Sequence, residues 1–280
     1  MTAFWCELAW LGGDSATSAV LVTTAADRIA AVVAGAPCPP DAVRVAGLTL
    51  PGMANAHSHA FHRALRGRTQ VGTGSFWTWR DQMYTAAQRL NPDSYFCLAR
   101  AVYGEMAMAG ITCVGEFHYL HHAPSGVAYN DANEMGAALT AAAAEAGIRI
   151  TLLDTCYLHG GVGIDPNETQ RRFSDRDSLS WAARASAALS LASDTVKVGA
   201  AIHSVRAVDP AAIEVVALWA AANDAPLHAH VSEQKAENQQ SIDAYGLTPT
   251  ALLAERGALG PRFTAVMPLI SQARTLACTA

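Results

Sequence analysis

The sequence predicts an α/β protein whose main sheet is parallel, preceded by a small all-β segment. From residue 48 onward, near-continuous apolar runs alternate with stretches carrying helix start and stop signals, the order that covers both faces of a parallel sheet with helices. Residues 1–50 instead alternate short apolar runs with turn residues. The third observation is the stretch Leu50-Pro51-Gly52-Met53-Ala54-Asn55-Ala56-His57-Ser58-His59-Ala60-Phe61-His62, in which two histidines two positions apart follow a breaker. That spacing puts both imidazoles on one face of an extended chain.

In the N-terminal segment, Phe4 to Leu11, Ala19 to Thr23 and Arg28 to Val33 read as antiparallel strands and hairpins, closed by a Gly35 to Pro40 breaker cluster. The strands of the main sheet are then Leu48 to Ala56, Ile111 to His118, Arg149 to Tyr157, Val196 to His203 and Pro226 to Ser232, with Phe263 to Ile270 as a weaker sixth. Asn91-Pro92-Asp93 opens a helix that Gly110 closes, and Asp209-Pro210 opens another. Ala132 to Ala146 ends at Gly147, placed as a left-handed cap. Arg63 to Arg89 is a polar and aromatic insertion read as a loop at the carboxyl end of the first strand, where active sites are built.

Composition narrows the function. The 280 residues hold 51% hydrophobic and 15% charged side chains with a net charge of -5, and basic residues are scattered, so no footprint for nucleic acid exists. Neither a secretory signal nor a membrane-spanning apolar run is present, which leads to the expectation of a soluble cytoplasmic protein. The six cysteines lack a close pair and several lie in apolar runs, so they are expected to be buried, reduced thiols.

His57 and His59 suit a divalent metal such as zinc, the alternative being a solvated loop pair. His230 in Pro226-Leu227-His228-Ala229-His230-Val231-Ser232-Glu233 is the third candidate ligand, and Glu233 beyond it a proton carrier; the alternative is a core histidine followed by a helix cap. His228 is expected to be a core histidine satisfied by a backbone carbonyl. His203 and Arg206 after the fourth strand, and His118-Tyr119 after the second, fall at strand carboxyl ends. His121 and His122 are expected at the surface.

The first stretch together with Arg63-Ala64-Leu65-Arg66-Gly67, Ser75-Phe76-Trp77-Thr78-Trp79-Arg80-Asp81-Gln82-Met83-Tyr84, Glu116 to His122, His203 to Val208 and His228 to Gln234 resembles the formimidoylglutamate deiminases of the amidohydrolase superfamily. The resemblance implies an incomplete (β/α)8 barrel over 51–280 and a partial β-sandwich over 1–50. It implies zinc on His57, His59 and His230, with Glu233 as catalytic acid/base. Arg80, Tyr119, His203 and Arg206 would hold the glutamate moiety of a small-molecule substrate, and His62 would be a further substrate contact. The implied reaction is hydrolysis of N-formimidoyl-L-glutamate to N-formyl-L-glutamate and ammonia in histidine degradation, with neither nucleic acid nor membrane as partner and a homodimer left open.

The family pattern also has a histidine on strand 6 and a zinc-binding aspartate on strand 8, whereas here no histidine follows His230 and the final residues look altered. A truncated chain with an open sheet edge, weak zinc binding and background turnover is therefore expected. Two rivals remain: a deaminase acting on a nucleobase or triazine, and a non-catalytic remnant.

Overall fold

Pro51 and Gly52 separate two strands that the apolar run alone would merge. In the computed structural model, which describes residues 1–26, 28–67 and 76–266 and only the backbone of 76–78, the run Leu48-Thr49 closes one strand and a second begins at Met53. Proline lacks the N–H a ladder needs, so the chain changes sheets there. Two compact units result, Met1–Met53 and Ala54–Ala280.

The first unit holds β1 (Thr2–Ala9), β2 (Thr17–Ala25), β3 (Arg28–Val33) and β4 (Val43–Thr49) in the order β3-β2-β1-β4. β1–β2 and β2–β3 are antiparallel hairpin pairs, but β4 joins the free edge of β1 in parallel, contrary to the all-antiparallel expectation. The connection between β3 and β4 is long enough to cross over, which a tight hairpin is not. Cys6, Ala9 and Val20 make a small core with Val22 and Val45, while every residue of β3 is exposed.

The second unit is built on β5 (Met53–Ser58), β6 (Ile111–His118), β7 (Arg149–Cys156), β8 (Val196–Ile202), β9 (Leu227–His230) and β10 (Phe263–Val266). They stand side by side in chain order. From β6 to β10 each strand pairs with the next in parallel. β10 realises the weak sixth strand from Phe263 to Val266; residues 267–270 of that expectation, and the tail, lie outside the described residues.

Helices α1 (Phe76–Ala87), α2 (Pro92–Met108), α3 (Glu134–Ala146), α4 (Ser178–Ala188), α5 (Pro210–Ala222), α6 (Lys235–Tyr245) and α7 (Pro249–Glu255) fill the connections. The Asn91 side chain accepts from Ser94 N at 2.9 Å and Ser94 Oγ accepts from Asn91 N at 2.9 Å, a reciprocal cap ahead of Pro92. Asp209 caps α5 through the amides of Ala211 and Ala212. The 63–89 insertion is not simply a loop: its first residues belong to a 3-10 turn (Ala60–Leu65), and α1 occupies its second half.

Four strand positions separate β5 from β9, about 19 Å in a flat sheet, yet the His57 and His230 rings lie 5.1 Å apart. The sheet therefore curls into a barrel wall. Two apolar clusters support it, one around Tyr95, Tyr103, Leu139 and Leu152, the other around Trp181, Ile213, Val216 and Leu253.

The cysteine expectation needs correction. Five free thiols are described, of which only Cys6 and Cys156 are buried; Cys97 is exposed on the outer face of α2, because an apolar run in a surface helix buries one stripe only.

β5 approaches β6 so closely at Gly115 that a Cβ there would lie 2.7 Å from the carbonyl oxygen of Ala56. Gly115→Ala should cost about 1–3 kcal/mol, read as a lower urea midpoint. An unchanged midpoint would show that the contact relaxes freely.

Candidate metal centre and its cavity

β5 delivers His57 near its end, and His59 follows on extended backbone (φ -125, ψ 93) as the 3-10 turn begins. His59 Nδ1–H donates to the Phe117 carbonyl at 2.8 Å, and His230 Nδ1–H, at the end of β9, donates to the His203 carbonyl at 2.9 Å. Each Nε2 therefore carries a lone pair, and the two Nε2 atoms face each other at 3.3 Å. A proton is a poor bridge. Burial pushes the pKa of His59 well down and that of His230 to about 3, while burial takes His57 to about 4. One donor atom from each of His57, His59 and His230 lies within 4.8 Å of the others. Facing lone pairs on buried neutral imidazoles fit a divalent cation, and this donor set fits zinc.

The turn after β9 is held just as firmly. Ser232 takes left-handed backbone (φ 55), its Oγ donating to Asn238 Oδ1 at 2.9 Å. Glu233 N–H donates to Glu237 Oε2 at 3.0 Å, and Glu233 Oε2 accepts from Arg206 Nη2 at 2.8 Å. Arg206 Nε stands 3.7 Å from Glu237 Oε2, so this arginine lies between two carboxylates.

A cavity of about 960 Å³ is bordered by the nine residues to which the resemblance gives a role, His57, His59, His62, Arg80, Tyr119, His203, Arg206, His230 and Glu233, whereas His118, expected at the same strand end as Tyr119, is buried against His121 with the rings 4.7 Å apart. His62 Nε2 and the Tyr119 hydroxyl share a hydrogen bond of 2.9 Å, and burial takes His62 to about 3, so the ring is neutral. Arg80, on α1, has its guanidinium 5.5 Å from the Tyr84 ring centroid. The His203 ring packs 4.5 Å from that of Tyr157.

Three contributors were missed. Tyr157 and Gln170 line the wall and are joined by a hydrogen bond of 2.8 Å. Tyr157 follows β7 as Tyr119 follows β6, a positional signal the sequence does contain. Glu237 stands four residues after Glu233, the helical spacing that would have paired them.

Three histidines depart from expectation. His121 and His122 are buried, not at the surface, because the fold supplies partners: His121 Nε2 donates to Thr155 O at 3.0 Å and His122 Nε2 to Ser174 O at 3.1 Å. Arg184 adds a bond to His121 Nδ1 at 3.0 Å while pairing with Asp154 and Asp175, each at 2.6 Å. His228 is in the core as expected, but its buried Nδ1 has no hydrogen-bond partner, so the carbonyl expected for it is not met there. Burial, and then its neighbour His57, hold it neutral with a pKa of about 4.

Two more buried groups brace the cavity. Glu116 Oε1 accepts from Ala60 N at 2.6 Å, directly behind His59, and burial raises its pKa to about 7. Arg172, fully buried, donates to the carbonyls of Ala87, Leu90 (2.6 Å) and His122 (2.8 Å).

A curled parallel sheet with a three-histidine centre at its strand carboxyl ends is the architecture of a metal-dependent hydrolase barrel. The chain belongs to the amidohydrolase family, whose sequence profile matches residues 48–267. It is similar to the formimidoylglutamate deiminase of Pseudomonas aeruginosa, 41% identical over 231 residues, which is 80% of this chain and 50% of that protein. The crystal structure of an amidohydrolase from Brucella melitensis superposes with a TM-score of 0.86 at 34% identity, covering 94% of this chain and 59% of that one. A zinc-complexed atrazine chlorohydrolase from Arthrobacter aurescens shares the fold, with a TM-score of 0.79 at 21% identity over 94% of this chain and 60% of that one. The chain thus spans about half the length of the curated relative described.

The buried histidines give stability a defined pH dependence. Their folded pKa values lie below the ordinary 6.5, so the unfolded chain binds protons that the folded chain refuses; stability is complete above 6.5 and is lost as pH falls toward 3–4. Glu116 and Asp154 have the opposite sign: burial lets them keep their protons up to about 7 and about 6 when folded, so their contribution falls as pH rises toward 7. The histidines outnumber them, each worth about 1.4 kcal/mol per pH unit within its window. The urea midpoint of the metal-free protein should therefore drop between pH 7 and 5. A flat or rising midpoint would mean that these imidazoles are not held neutral.

Proposed function

We propose that the protein is a zinc-dependent hydrolase that converts N-formimidoyl-L-glutamate to N-formyl-L-glutamate and ammonia, the amidine-cleaving step of histidine degradation, in the cytoplasm. Residues 51–280 carry the chemistry and 1–50 form an accessory β domain. The observation that carries this reading is the meeting, in one cavity, of a three-histidine centre with a carboxylate and two arginines. The similarity to a formimidoylglutamate deiminase supports it independently.

His57, His59 and His230 hold the metal, which when bound supplies Lewis acidity that makes water a nucleophile near neutral pH. As the water oxygen bonds to the formimidoyl carbon, Glu233 would carry both water protons in turn to the imino nitrogen, so that the carbon–nitrogen bond breaks, ammonia leaves and the formyl oxygen comes from water. Arg80 and Arg206 bind the two substrate carboxylates, a task for which the planar guanidinium is suited. Tyr119, His203 and His62 complete the wall around the glutamate moiety. His62 and His203, held neutral by burial, offer hydrogen bonds without competing charge.

A nucleobase or triazine deaminase is the second reading, favoured by the aromatic wall of Trp79, Tyr84, Tyr119 and Tyr157. Calorimetry on the zinc-loaded protein separates them. N-formyl-L-glutamate should bind and guanine should not, and any ammonia released should come from formimidoylglutamate. Tighter binding of guanine would overturn the proposal.

The metal assignment has its own test. His59→Ala should weaken zinc binding about a hundredfold or more, since it removes a ligand whose orientation the Phe117 carbonyl presets. Competition with a chromogenic chelator measures this; equal affinity in the variant would remove His59 from the centre.

A further inference from the structure

Arg206 is one of two arginines that border the cavity, yet its charge is already claimed. Its Nη2 donates to Glu233 at 2.8 Å and its Nε lies 3.7 Å from Glu237, so one cation faces two anions and the group carries no surplus positive charge for a third. The two carboxylates differ in freedom. Glu237 is fully buried in the first turn of α6 and accepts the Glu233 N–H. Glu233 borders the cavity, and the group that holds its side chain is the Arg206 guanidinium itself.

We infer that Arg206 and Glu233 form a latch opened by the ligand: a carboxylate of the ligand replaces Glu233 on Arg206, and that exchange frees Glu233 to face the three-histidine centre. This rests on the reading of the ligand as a dicarboxylate. Glu237 keeps the guanidinium in place through the exchange, and the left-handed turn at Ser232, tied to Asn238, fixes the Glu233 backbone so that only its side chain swings. Recognition of the carboxylate and release of the base become one event. A compound carrying the amidine without that carboxylate would enter the cavity and leave the base engaged, so specificity would be expressed in kcat as well as KM.

A double-mutant cycle on ligand affinity tests the latch without relying on turnover. N-formyl-L-glutamate is titrated calorimetrically into wild type, Glu233→Gln, Arg206→Met and the double variant, all at equal zinc content. Removing the competitor in Glu233→Gln should tighten binding tenfold or more, and this gain should vanish in the Arg206→Met background. An equal gain in both backgrounds would assign the effect to the general field of a lost negative charge and overturn the latch, as would no gain at all. Absence of binding to all four proteins would overturn the dicarboxylate reading itself, and the latch with it. Should Arg206→Met fail to fold, the cycle moves to the ligand: N-formyl-L-glutamine and N-formyl-L-isoglutamine each lack one carboxylate. The gain in Glu233→Gln must then disappear for one of the two, and a gain retained by both overturns the latch.

Discussion

Two backbone carbonyls, of Phe117 and His203, decide what the histidine centre can be. Each takes the Nδ1 proton of a histidine from a neighbouring strand and so turns the Nε2 lone pair inward. The tautomer of a metal-binding imidazole is normally set by such an outer partner. Here the partners are main chain. Their positions follow from strand order alone: Phe117 lies on β6 beside β5, and His203 follows β8 beside β9. Side-chain substitution cannot remove either acceptor, so the centre is as durable as the sheet.

Around that neutral centre the polar groups fall into two layers. At the cavity, Arg206 shares its charge between Glu233 and Glu237. Deeper, Arg184 is shared between Asp154 and Asp175 while touching His121. Buried ion pairs contribute little net stability once desolvation is counted. The deeper cluster makes better sense as geometry: it ties α4 to β7 and to the segment after β6 that carries Tyr119, and a misfolded register would leave several charges unpaired.

Much of this was legible because the chemistry is local in sequence. His57 and His59 lie on one extended segment, and His230 and Glu233 on one strand and its following turn, so spacing alone aligns them. Helix boundaries were legible for the same reason: Asn91 with Ser94, Asp209 and Gly147 act within a few residues of themselves. Contacts across the chain were not. His121 and His122 look like surface residues until Thr155, Ser174 and Arg184, more than thirty residues away, supply their partners. The strand boundary at Pro51 was misplaced because an apolar run says that a segment is extended, not which sheet it joins. The pairing of Arg206 with Glu233 joins two residues 27 positions apart and needed the fold to appear.

Arg172 has a consequence for affinity. A buried guanidinium bound to main-chain oxygens at and just past the end of α1 and after β6 welds the helix that carries Arg80 to the segment that follows Tyr119. That side of the cavity loses its conformational freedom when the chain folds, not when a ligand arrives. Binding then escapes part of the ordering penalty that a floppy wall would impose, and variation in the outer loops can reshape selectivity without retuning this brace.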